Sequence, residues 1–165
     1  MIYFFISFFL DLIFGNVINT SYQNLNLLFP MLFISSIPIS YLSFQNKKIF
    51  LILLIVLGLI SDLLFSMIFL INTFFFILYY LFLKLIFDRK NSSLINILII
   101  SILGIIVYDF YLFLILNLLN YSNFVIEDFY YKVLNSILIN SLYIIISLFI
   151  LKGRILGSKR KKKFN

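Results

Sequence analysis

Three aspartates, Asp11, Asp62 and Asp109, stand in runs of Leu, Ile and Phe where almost nothing else can ionise. A carboxylate in such a setting can carry a proton, coordinate a ligand, or accept the hydrogen bonds that fix one helix against another. The chain contains no Cys and no His. Disulfides, thiolate nucleophiles, imidazole acid–base steps and the usual zinc sites are thereby removed. A carboxylate at the centre of a membrane helix costs about 2.5 to 3.5 kcal/mol on insertion scales, so each of the three needs a partner or a proton. Asn140, Tyr143 and backbone amides are the candidate partners.

The neighbours of these acids recur at helical spacing. Ser7, Asp11 and Gly15 follow at i, i+4 and i+8, and Gly58, Asp62 and Ser66 do the same; Ser136, Asn140, Tyr143 and Ser147 form a third polar stripe. Small and polar residues on one face of an apolar helix are first of all helix–helix contacts. The catalytic alternative is two carboxylates sharing a proton to activate water. Tyr108-Asp109 supplies the YD pair of an intramembrane aspartyl protease, but the other acid comes first, in Gly58-Leu59-Ile60-Ser61-Asp62, with the wrong glycine spacing for a GxGD element. No catalytic, cofactor-binding or metal-binding residue is therefore assigned, and no cofactor is expected.

The elements that must hold these residues follow from length and charge. The apolar run from Ile49 to Phe87 would measure about 58 Å as one helix, against a hydrocarbon thickness of about 30 Å, and so must cross a membrane twice. Lys47 and Lys48 precede it and Arg89 and Lys90 follow it. Basic loops stay in the cytoplasm, and two crossings put both clusters there. The remaining apolar segments lie at about Ile2 to Ile18, Leu27 to Phe44, Leu94 to Leu119 and Lys132 to Leu151, with the turn inside the long run near Ser66. The reading is an all-α integral membrane protein of six transmembrane helices, one domain over residues 1–151, both termini cytoplasmic, followed by a basic tail at 152–165. The first segment lacks a basic n-region and a small-residue cleavage site, and is read as a retained span. Glu127 and Asp128 then fall outside, and Lys132 alone is on the wrong face.

Composition agrees. The chain is 64% hydrophobic with a mean hydropathy of +1.15, beyond the range of soluble domains. Its net charge of +7 comes largely from residues 152–165, which reads as an orientation signal with anionic-lipid contact rather than nucleic-acid binding. The absence of Ala and Trp beside abundant Phe, Ile, Asn and Lys suggests an AT-rich bacterial genome, and the cytoplasmic membrane of a bacterium as the location.

Gly58-Leu59-Ile60-Ser61-Asp62-Leu63-Leu64, followed by a short break and an aromatic-rich span, resembles the central GxxxD element of the rod shape-determining protein MreD family. Tyr108-Asp109-Phe110-Tyr111 in the fifth span, Asn140 in the last, Pro30 early in the second, the length and the basic tail are similar to that family over most of the chain. Two positions depart from it: the turn Ser66-Met67-Ile68-Phe69 has neither the usual Gly nor Pro, and Leu134-Asn135-Ser136 stands where a Pro is expected. The resemblance implies a non-enzymatic component of the cell-elongation machinery, associated with MreC and coupling MreB to peptidoglycan synthesis by RodA and a class B penicillin-binding transpeptidase. It also implies a helical core related to that of the substrate-binding component of energy-coupling factor vitamin transporters, which is the alternative function. That alternative needs an AxxxA-type coupling surface on the first helix, and the chain has no Ala.

Overall fold

The computed structural model describes residues 2–17, 31–65, 69–87, 93–120 and 126–161. It is all-helical: α1 Ile2–Val17, α2 Leu32–Ser43, α3 Lys47–Phe65, α4 Ile71–Phe87, α5 Leu94–Leu118 and α6 Ile126–Lys161, with no strand among the described residues. α5, and the part of α6 from Phe129 to Ile150, are long and apolar enough to cross a membrane, with mean hydropathies of 2.5 and 2.1. Ile2–Phe14, Leu32–Ser43 and Ile71–Phe87 are shorter apolar helices.

Several of the serines scattered through these apolar runs are accommodated within the helices because their hydroxyls donate to carbonyls three or four residues back. Ser7 bonds Tyr3 O, Ser36 bonds Phe33 O, Ser61 bonds Leu57 O and Ser147 bonds Tyr143 O, all within 2.9 Å. α3 starts at a conventional N-cap: Asn46 Oδ1 accepts from the amides of Lys48 and Ile49.

The chain divides into two compact units, Met1–Ser43 with Leu94–Asn165, and Phe44–Ser93. In the first, α2 packs against α1, α5 and α6, and every residue from Leu32 to Tyr41 is buried. Phe33 lies between Phe4 and Phe8 of α1, with ring centroids 5.1 Å away on each side. α5 turns Ile97, Ile100, Ser101, Gly104, Ile105 and Asp109 inward, while α6 buries Ser136, Asn140, Ile144, Ser147 and Leu148. Both sets keep the three-and-four spacing of one helix face.

α6 begins at Ile126, earlier than the span expected from Lys132. The added turns are held by Phe129, whose ring meets Phe110 and Phe113 of α5 at 5.9 and 5.6 Å. The helix also runs past Leu151 to Lys161.

The second unit is the antiparallel pair of α3 and α4. Phe50, Leu54, Leu57, Gly58 and Asp62 share one buried face of α3, and α4 buries Asn72, Thr73, Phe75, Phe76, Tyr79, Tyr80 and Leu83. Phe50 meets Tyr80 at 6.3 Å at one end of the pair, and Gly58 meets Thr73 nearer the other. The turn between the helices ends on Leu70 with φ of 70°, a left-handed conformation suited to glycine.

Candidate functional site

Asp62 sits late in α3, where the buried stripe brings it opposite the first turn of α4. Its side chain is 2% exposed. Oδ1 accepts from the amide of Asn72 at 2.8 Å, and Oδ2 accepts from the amide of Thr73 at 3.0 Å and from the Thr73 hydroxyl at 2.7 Å. The first amides of any helix have no partner within it. Here a carboxylate on the preceding helix supplies the acceptors. Four residues earlier Gly58 makes the approach possible. A methyl group there would stand 2.8 Å from Thr73 Cα and 3.0 Å from its Oγ1, so the glycine and the aspartate grip the same residue of α4.

Asp11 serves α2 in the same manner. Oδ1 accepts from the amide of Leu32 at 2.8 Å and Oδ2 from that of Phe33 at 2.7 Å. Asn140 of α6 completes the set: Oδ1 accepts from the amide of Met31 at 2.9 Å while Nδ2 donates to Ser136 O at 2.7 Å. Three consecutive amides at the start of α2 are thus satisfied by side chains from α1 and α6. Ser7 and Tyr143 join the same two helices through a hydroxyl pair at 2.7 Å, beside the stacked rings of Tyr3 and Tyr143.

No known protein family, curated protein or solved structure matches this chain.

Asp109 differs from the other two. Lys132 Nζ stands 3.1 Å from its Oδ1, with side-chain exposures of 12% for the lysine and none for the aspartate, and Oδ2 meets no donor among the described residues. The lysine that charge mapping leaves on the wrong face is therefore the counter-ion of a buried carboxylate, and helps bind the early turns of α6 to α5. Asp11 and Asp109 belong to the first unit and Asp62 to the second, and each is engaged within its own unit. Among the described residues no three His, Cys, Asp or Glu side chains gather as a metal site. Pro30 and Ser66 lie outside the described residues.

Sequence reasoning finds the acids, Gly58 and Asn140, and names backbone amides among the candidate partners, but does not show which amides they are. Asn72-Thr73 carries a readable signal, two polar residues directly after an apolar turn at the start of a helix. The amides of Met31, Leu32 and Phe33 carry none, because any residue type but proline supplies one.

Proposed function

We propose that this chain is a non-enzymatic membrane scaffold of the MreD kind, a six-span protein of the bacterial cytoplasmic membrane with both termini inside the cell. One observation carries the reading: Gly58 and Asp62, the two residues of the GxxxD element, both close on Thr73 at the start of α4. The element is a clasp between two helices, and its carboxylate already accepts three hydrogen bonds. Asp11 is likewise engaged at a helix end. Groups arranged in this way give a bundle a definite shape, as a protein that works by contact with other membrane helices requires.

The exterior supports a membrane setting. Large apolar side chains stand exposed along the helices, among them Phe9, Ile52, Leu85, Ile95, Leu138 and Phe149. Such a surface suits hydrocarbon and not water. In this reading MreC is the direct partner, MreB, RodA and the class B transpeptidase are reached through the same complex, and the tail at 152–165 rests on anionic lipid.

The test is co-expression with MreC from the same genome, followed by detergent extraction and affinity recovery. The intact chain is expected to retain MreC, and Gly58→Ala and Asp62→Ala to lose most of it. Failure of the intact chain to bind MreC, together with thermal stabilisation by one vitamin, would transfer the protein to the transporter-component reading.

A further inference from the structure

We propose that the described part of the α3–α4 turn, Phe69–Leu70, lies inside the outer leaflet, surrounded by lipid acyl chains and not by water. The inference rests on the membrane topology proposed above and adds to it the depth of one turn. Three observations support it.

Length comes first. The antiparallel pairing sets Phe50 beside Tyr80 and Gly58 beside Thr73, which brings Lys47 and Lys84 to the same level at the opposite end from the turn. Lys84 is exposed, and the Lys47 ammonium bonds Phe44 O at 2.9 Å. Lysines at this level mark the cytoplasmic headgroups. From there α3 rises about 27 Å to Phe65, and α4 covers about 20 Å between Ile71 and Lys84. Hydrocarbon is about 30 Å thick, and any tilt shortens the reach further.

Surface chemistry comes second. Leu63, Leu64, Phe69, Leu70 and Phe74 cluster at this end, and all are exposed, Phe69 by 62%. Water would meet these five apolar side chains, whereas acyl chains would match them.

The third observation concerns backbone polarity. A helix that starts in water can leave its first amides to the solvent, but one that starts in hydrocarbon cannot. The amides of Asn72 and Thr73 are taken by a buried carboxylate, and those two side chains are themselves buried. By contrast α3, which starts at the cytoplasmic face, begins on Asn46, an exposed residue.

The chain has no cysteine of its own, so single-cysteine variants report without background. Phe69→Cys, Glu127→Cys and Gln45→Cys are reacted with a membrane-impermeant maleimide, first in intact spheroplasts and then in opened membranes. Glu127→Cys is expected to label in both, Gln45→Cys only once the membranes are opened, and Phe69→Cys in neither, until detergent denaturation exposes it. Labelling of Phe69→Cys from outside at the rate of Glu127→Cys would overturn the proposal and leave the six-span topology intact. Labelling of Gln45→Cys in intact spheroplasts would overturn the topology itself, and the proposal with it. A spin label at position 69 in vesicles of phosphatidylethanolamine and phosphatidylglycerol separates lipid from protein cover. Ready collision with oxygen but not with a nickel chelate is expected, and exclusion of both would mean that protein covers this part of the turn and would contradict the proposal.

Discussion

Gly58 leaves no room for a methyl group, since Thr73 Cα would lie 2.8 Å from it and backbone cannot rotate away as a side chain can. Gly58→Ala is expected to separate α3 from α4 and to cost about 1 to 3 kcal/mol, the usual range for overpacking, read as a lower melting temperature in detergent. The change also strains the hydrogen bonds of Asp62, so Gly58→Ala and Asp62→Ala should be less than additive in a double-mutant cycle. Leu70 offers the opposite sign. Its φ of 70° is a conformation that costs a residue with a Cβ about 1 to 2 kcal/mol. Leu70→Gly is expected to recover about 1 kcal/mol of this, after the entropy that glycine adds to the unfolded chain, and to raise the melting temperature. The turn thus ends on a left-handed position that glycine would suit and leucine occupies. Asp62 was legible as a costly residue needing partners, because its type and surroundings are written in the sequence. That the partners are the amides of Asn72 and Thr73 was not, because main-chain donors have no residue signature.

A carboxylate on the first helix of a hairpin meets the start of the second in two of the three helix pairs. Asp11 accepts from Leu32 and Phe33, and Asp62 from Asn72 and Thr73. In the third pair Asp109 of α5 meets Lys132 of α6 instead. The substitution has consequences for stability. Removing one member of a buried ion pair strands the other and typically costs about 3 to 5 kcal/mol, whereas replacing both by apolar residues is often neutral. Lys132→Met alone is therefore expected to unfold the α5–α6 pair readily, and Asp109→Leu with Lys132→Met to restore most of the melting temperature; a double variant as unstable as the single one would contradict this account. Helix positions were legible where apolar runs meet polar residues, as at Leu94, and to within two residues at the start of α3, expected at Ile49 and found at Lys47. The start of α6 was not, because Phe129 and Lys132 are held by α5, and local sequence cannot show a contact with another helix.

At the scale of the whole molecule, each of the two units exposes large apolar side chains and uses buried polar groups to hold a helix start. The all-helical class could be read from composition, and the inward face of Asp11 and Asp62 from the small and polar residues that recur beside them at helical spacing. The division into two units could not, because it depends on which helices touch, and no spacing records that. The central claim is that Asp11, Asp62 and Asp109 act through structure and not through proton or ligand chemistry. Its most direct measurement pairs thermal stability with MreC recovery for Asp11→Asn, Asp62→Asn, Asp62→Ala and the double variant Asp109→Leu with Lys132→Met. Recovery is predicted to fall in step with melting temperature across the set, with Asp62→Asn above Asp62→Ala because an amide oxygen still accepts a hydrogen bond from α4. A variant as stable as the intact chain that no longer recovers MreC, or no longer supports rod shape, would contradict the claim.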